Sequence, residues 1–452
     1  MPGPGGGASI VRVPAHSFTL DHFPAAADDR TRAWTRAVRQ AFLEPDPTPA
    51  RLEYLVEQTV ADDATLVAAY PDGEETLDGE RRPVGTCTTM AGTINLGAGL
   101  VPATLFTSAT VRPTHRRRGL LRRMVEDALV RTSGAGHSMV LLTATEGSIY
   151  ERFGFGAAVW RSTLTVDTRG GLPLRSRGSG QVQQVGTEWL VGQAPAVFDR
   201  FHEGALGSVS RRAAYTDRVA READSDRFDR AVRGLAHVGD SGEVDGFAFY
   251  RALEGTACVE VLDLVAATDD AYLALWSTLG GLDLVDTLTF PRASADEVLR
   301  HAVPDPRRVS TTLVQDELWV RVVDPAAALA QRAYAPGLDE SLVLRVHDPL
   351  GHAAGDLRLR VADGVAVVEP VVVDGAEAGQ DGSDGRADDG RAADDDWDLS
   401  LDVSTLGTLL VGGLSATQLA RSARLVARDA AALGQADRVF AIADTLRFYS
   451  HF

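Results

Sequence analysis

A strand that runs into a basic turn and then a glycine-started helix can hold a phosphate. Val111-Arg112-Pro113 closes an apolar stretch, and His115-Arg116-Arg117-Arg118-Gly119 forms a basic turn. Leu120, Leu121, Met124, Val125 and Leu129 then supply the apolar side of a helix. The first N–H groups of such a helix have no intrahelical acceptor, and the helix dipole favours an anion there. Gly119 lets the backbone approach a ligand closely. Arginines at the rim attract further phosphate oxygens. An arginine run alone is a basic surface turn; the strand–turn–helix setting and the glycine favour the anion site.

The surrounding pattern shows what must position this turn. Residues 31–42 and 51–60 read as helices, and 65–69, 84–90, 94–101 and 103–111 as an antiparallel meander. The helix after the turn is expected over about 117–132, stopped by Gly134-Ala135-Gly136. Residues 138–143 read as a buried strand, and 149–155 as a short amphipathic turn closed by Gly154. New material begins with the alternating strand 160–166. Helices at 198–219 and 224–232, a hairpin at 246–253 and 256–265, a helix at 271–279 and a strand at 287–290 repeat the first half in order. In this second copy Asp269 and Asp270 stand where the basic turn stood, and no glycine opens the helix. Acids there repel pyrophosphate, so the second copy reads as a scaffold.

A third region starts near Asp324. Strands are expected at 342–346, 355–361, 365–369 and 399–403, helices at 406–410 and 416–425, and a strand-like end at 439–443. Residues 374–398 carry ten acids against Arg386 and Arg391. Such a run reads as a solvated, mobile insertion pointing outward.

Composition narrows the function. The 452 residues are 44% hydrophobic and 24% charged, which suits two to four folded domains. Subtracting 63 acids from 45 bases leaves −18, a poor match to nucleic-acid phosphates. No apolar run is long enough for a membrane span, and the opening Met1-Pro2-Gly3 segment lacks a signal-peptide pattern, so a cytoplasmic protein is expected. Two cysteines, Cys87 and Cys258, cannot build a disulfide framework or a four-cysteine zinc site. None of the ten histidines has metal-ligand spacing, so no metal is expected. All 45 basic residues are arginine, which removes lysine bases and Schiff-base chemistry.

The segment Arg116-Arg117-Arg118-Gly119-Leu120-Leu121 after Val111-Arg112-Pro113 resembles the Q/R-x-x-G-x-G/A acyl-CoA loop of GNAT N-acetyltransferases. Leu121 departs from the Gly or Ala of that pattern. Together with Glu146-Gly147-Ser148-Ile149-Tyr150-Glu151-Arg152-Phe153-Gly154-Phe155, the segment is similar to the Eis (enhanced intracellular survival) acetyltransferases of actinobacteria. The resemblance implies an α/β chain of two tandem GNAT-like mixed-sheet domains, the second degenerate, and a sterol-carrier-protein-like C-terminal domain. The corresponding divisions are 1–160, 161–323 and 324–452.

The resemblance further implies acetyl-CoA as co-substrate and an amine as acceptor. Ala109, Thr110 and Val111 would lie beside the pantetheine. Arg116, Arg117, Arg118, Gly119, Leu120, Leu121 and Arg122 would surround the pyrophosphate, with Thr145 and Glu146 at the end of the next strand. Tyr150 would be the general acid, and the α-carboxylate of Phe452 the general base. A phenol can protonate a leaving thiolate while staying neutral itself at pH 7. A carboxylate can take the amine proton, directly or through water. Phe448, Tyr449 and Phe452 make the last residues apolar enough to dock. Asp28, Trp34, Phe42 and His451 are candidates for the acceptor pocket, which for a polycation would be acidic and aromatic. His115 reads as a solvated loop residue.

The expected activity is acetyl transfer to small polyamine-like molecules such as aminoglycosides. The alternatives are a protein lysine acetyltransferase and a non-enzymatic carrier of apolar ligands in the third domain. By resemblance, the chain is expected to form a homohexamer.

Overall fold

The computed structural model describes residues 17–73, 81–221, 227–371 and 397–452. The acidic run is therefore outside the described residues up to position 396. The chain divides into two compact units, one of residues 1–89 and 108–125, the other of residues 90–107 and 126–452.

The first unit holds β1 (Phe18–Pro24), α1 (Asp29–Ala41), α2 (Pro49–Ala61) and β2 (Thr65–Pro71), with the beginning of β3 (Gly85–Asn95) and the end of β4 (Leu100–Val111). β1 pairs antiparallel with β2, and β2 with β3. Alternating apolar residues bury Phe23, Leu66 and Ala68 against Trp34 of α1. Asp28 caps α1 by accepting from the Thr31 N–H at 2.8 Å, and Thr48 caps α2 ahead of Pro49. The first turn of α3 (Leu120–Gly134) completes this unit.

The larger unit continues β3, β4 and α3, and β4 pairs in parallel with β5 (Met139–Thr143) at Thr104 and Leu105. β6 (Gly156–Asp167) and β7 (Gln181–Val185) follow, then α4 (Thr187–Gly204) and α5 (Tyr215–Val219). β8 (Val232–Val238), β9 (Val244–Ala252), β10 (Cys258–Ala266), α6 (Asp269–Leu279), β11 (Thr287–Ser294), α7 (Leu299–Ala302) and β12 (Val309–Val322) complete the second GNAT-like region. From β5 onward the strand order is β5-β12-β6-β11-β10-β9-β8-β7. β12 is thus inserted between β5 and β6, antiparallel to both. The sequence break at 160/161 falls inside β6, and the strand is continuous through it.

The last region has α8 (Pro325–Ala330) and a five-stranded sheet. Its strands are β13 (Asp339–His347), β14 (Gly355–Ala362), β15 (Val365–Pro370), β16 (Leu399–Asp402) and a short β17 (Leu425–Ala427), ordered β15-β14-β13-β16-β17. α9 (Val403–Val411), α10 (Ala416–Arg421) and α11 (Ala430–Val439) lie in the same region. One apolar core runs from Met139 and Leu141 through Leu318, Val320 and Val322 to Leu342, Leu344, Leu406 and Phe452. A second core lies around Phe198, Phe247, Trp276 and Tyr449.

Several local expectations are corrected. The 439–443 segment is no strand: Val439 ends α11, which Asp429 caps, and the chain beyond is irregular. An apolar run that short does not distinguish strand from helix end. The 198–219 helix is two, separated at Ala205–Ala214. The 224–232 helix is absent over its described residues, and Val232 opens β8. Residues 94 and 95 belong to β3 rather than opening a new strand.

Candidate active site

The anion turn lies in the first unit. Ser108, within β4, takes φ +53°, and Thr86 Oγ1 donates to the Ser108 carbonyl at 3.0 Å. Thr86 and Thr110 share a hydroxyl–hydroxyl bond of 2.7 Å, so the Thr110 side chain serves β3–β4 pairing; Ala109 and Val111 are half-buried beside it. Pro113–His115 makes one tight turn. His115 is buried, bonded to Thr114 at 2.8 Å and edge-on to Phe18, which corrects its reading as solvated.

Arg116, Arg117, Arg118 and Gly119 are exposed. Arg118 is braced by the Thr114 carbonyl at 3.1 Å. Arg117 at φ +63° and Gly119 at +78° both take the left-handed region, a geometry that turns successive N–H groups to one side. A Cβ on Gly119 would meet no atom of the described residues within 4 Å, so it is the φ of the position that calls for glycine. The first intrahelical bond of α3 runs from Arg123 N to Gly119 O, so the helix itself offers no acceptor to the Leu120 and Leu121 amides that precede it. Buried Leu120 packs on Gly85, while Leu121 is half-buried and Arg122 exposed. Arg123 donates to the Phe18 carbonyl and ties the helix start to β1. Open amides, a left-handed turn and exposed guanidiniums fit a pyrophosphate.

The second group lies in the larger unit. β5 ends at Thr143, followed by exposed Thr145 and Glu146. Tyr150 joins two single turns, Gly147–Ile149 and Glu151–Phe153, with its half-buried ring edge-on to Phe155. Gly154 closes the turn at φ +82°. Beneath it Arg321 donates to the Phe153 carbonyl at 2.8 Å and pairs with Asp348 at 2.6 Å, both side chains fully buried. This pair fixes the Tyr150 turn from below.

The chain returns to this place. Phe452 is only 7% exposed. Thr143 Oγ1 donates to the Phe452 oxygen at 2.5 Å and lies 3.3 Å from the Phe452 N–H. His451 Nδ1 bonds to Glu317 at 2.9 Å. The Glu317 side chain is buried and also accepts from Arg161 Nε at 2.6 Å, with Arg292 at 3.6 Å. Burial pushes this carboxyl up, but His451 and the two arginines outweigh it and hold it below its ordinary range.

Of the other acceptor candidates, Asp28 is the α1 cap, its carboxyl held low by the Thr31 N–H. Trp34 is in the core, with Nε1 donating to the Val67 carbonyl at 2.9 Å. Phe42 is 45% exposed. Thr143, Glu317, Arg321 and Asp348 escaped the sequence reading, for their roles depend on partners far away in the chain. Among the described residues no group of histidine, cysteine and carboxylates could hold a metal, and no helix is long and apolar enough to cross a membrane.

The chain is similar to known proteins along most of its length. Models of the acetyltransferase (GNAT) domain match residues 23–158 and 207–322, and a sterol carrier protein domain matches 325–445. An uncharacterized N-acetyltransferase of Streptomyces avermitilis is 30% identical over 429 residues, covering 91% of this chain and 94% of the relative. N-acetyltransferase Eis of Mycobacterium tuberculosis is 32% identical over 353 residues, covering 76% and 79%. The crystal structure of Eis1 from Mycobacterium abscessus has a TM-score of 0.76 at 27% identity, covering 96% of this chain and all of that one.

Proposed function

Because this chain belongs to the Eis family of GNAT N-acetyltransferases, we propose that it moves the acetyl group of acetyl-CoA to primary amines of small polyamine-like molecules such as aminoglycosides. The thioester supplies the activated acyl group. The observation that carries the reading is the buried end of the chain, seated on Thr143 at the end of β5.

In this reading the amides of Leu120, Leu121 and Arg122 and the Arg116–Arg118 guanidiniums hold the pyrophosphate. Thr145 and Glu146 flank the donor. Tyr150 gives its phenolic proton to the departing sulfur. The terminal carboxylate of Phe452 takes the proton from the attacking amine. Thr143 orients that carboxylate by its short bond. Phe42 and His451 are the acceptor candidates of this reading, and the net charge of −18 attracts polycations. The same reading divides the chain at 160/161 and 323/324, places it in the cytoplasm as a hexamer, and leaves the second GNAT-like region without CoA. α6 supports the last point: Thr268 caps it by accepting from Ala271 N–H at 3.2 Å, and Asp269 and Asp270 fill its first turn.

The alternative carrier reading calls for a free chain end, whereas Phe452 is buried in the core. A protein lysine as acceptor uses the same groups. The test is thiol release from acetyl-CoA with a panel of small amines and a lysine peptide. The native chain is compared with one extended by two glycines after Phe452. Turnover is expected to fall at least about a hundredfold in the extended chain, with acetyl-CoA binding retained. Equal turnover in both chains overturns the assignment of Phe452.

A further inference from the structure

The second GNAT-like region has an opening between two strands. β10 and β11 pair in parallel only over Cys258–Glu260 and Thr287–Thr289. Beyond those residues β10 continues along β9 to Ala266, and β11 continues along β6 to Ser294. The two strands therefore part. In the catalytic region β4 and β5 share the same parallel pairing.

Residues near the end of the chain contact groups on both sides of this opening. The Arg447 N–H donates to the Leu206 carbonyl at 2.8 Å, and the Phe448 N–H to Ser294 Oγ of β11 at 3.4 Å. The Tyr449 ring lies 5.4 Å from Phe201 and 6.1 Å from Phe290, and its hydroxyl donates to buried Glu297 at 3.1 Å. The Tyr449 carbonyl accepts from Arg211 at 3.1 and 2.5 Å. Arg211 is itself held by a two-pronged pair with Asp263 of β10, 2.8 Å on each side, both side chains buried. Ser450 Oγ donates to the Val209 carbonyl at 2.6 Å. A cavity of about 540 Å³ remains at the end of β10, walled by Leu264 and Thr268 on one side and by Asp444, Arg447 and Tyr449 of the tail on the other. Tyr449 belongs to the core of the second region, whereas Phe448 and Phe452 belong to the core that contains β5.

Glu317 adds a second anchor. Asp316 pairs with Trp160 and Leu318 with Val159, so Glu317 is the extra residue of a bulge in β12. A bulge re-aims a side chain at the cost of local pairing. Here it directs a buried carboxylate to His451, the neighbour of Phe452.

We propose that residues 447–452 fill the cleft of the second GNAT-like region, and that Arg211, Asp263 and Glu317 are positioning residues that set the terminal carboxylate at Thr143. The second region thereby serves the reaction without binding CoA: the opening between β10 and β11 takes the tail in place of a cofactor. The inference rests on the Phe452 carboxylate acting as the base.

Two variants of the full chain test it. Arg211→Met with Asp263→Leu replaces the buried ion pair by apolar volume, a swap that folds tolerate far better than loss of one partner. His451→Ala removes the tail side of the Glu317 contact at a half-exposed position, and Glu317 keeps Arg161. Each folded protein is treated with carboxypeptidase A, and phenylalanine release is timed alongside steady-state kinetics. Release is expected to quicken, and kcat to fall, by about tenfold or more, with the KM for acetyl-CoA unchanged. Melting temperature falling alone, with release and kcat at native values, overturns the proposal and leaves a packing role. The glycine extension separates the two readings. Full activity of the extended chain removes Phe452 as base, while phenylalanine release from the native chain and its variants still reports the anchor.

Discussion

Helices α3 and α6 follow comparable strands in the two GNAT-like regions, yet their first turns differ in chemistry. α3 is entered through Arg117 and Gly119, both left-handed, and its first turn lies beside exposed guanidiniums. α6 is entered through Thr268, whose hydroxyl takes the Ala271 amide, and its first turn carries Asp269 and Asp270. One end is open and positive, the other capped and negative. The strands tell the same story: β10 supplies Asp263 to the Arg211 pair that grips the tail. In the proposed reading one copy serves the chemistry and the other places the chain end.

Four experiments break or sharpen this contrast. The largest effect belongs to Tyr150→Phe, which removes the acid and keeps the ring packed on Phe155. The kcat is expected to drop about 10²–10⁴-fold, with acetyl-CoA binding unchanged by calorimetry. Next is Gly119→Val, which forces a β-branched residue to φ +78° at the turn. The KM for acetyl-CoA is expected to rise about tenfold or more, since turn and amides move together.

A smaller effect concerns the second region's stability. His202 of α4 is buried, bonded to Thr93 at 2.8 Å and Ser208 at 3.0 Å, and burial lowers its pKa from 6.5 to about 4. Between those values the unfolded chain takes up a proton that the folded one does not, so stability falls as pH drops from 6.5 to 4. The loss amounts to about 3 kcal/mol at most. In His202→Asn, denaturant midpoints should depend less steeply on pH across that window. The smallest expected effect is none. Asp269→Ser with Asp270→Gly removes the acids of α6, yet binding should remain one acetyl-CoA per chain, because the tail still fills the cleft. A second bound equivalent would make charge, rather than occupation by the tail, the decisive difference.

The legible part of the molecule was the local part. The strand–turn–helix unit at Val111–Leu121 was readable because strand end, turn, glycine and helix start are contiguous, so residue types at short spacing carry the local geometry. Asp28 read as an acceptor candidate because an acid near an aromatic helix suits an amine; its actual bond, to the amide three residues on, is just as local and fits the N-cap pattern. Trp34 was legible as apolar and helical, but its burial depends on β2, a strand met later in the chain. β6 runs on past residue 160, and this was not legible locally because its antiparallel partner β12 arrives about 150 residues later.

The sequence by itself determined the two GNAT-like patterns, the third region's strands, the anion turn and the loss of that turn in the second copy. Each follows from periodicity, capping residues and charge within a few positions. The tertiary structure alone decided where the chain end goes. Thr143 and Phe452 are 309 residues apart, and Arg211 and Tyr449 are 238 apart. No spacing rule spans such distances. Their meeting depends on the insertion of β12 between β5 and β6, on the parting of β10 and β11, and on the two cores that the last aromatic residues enter.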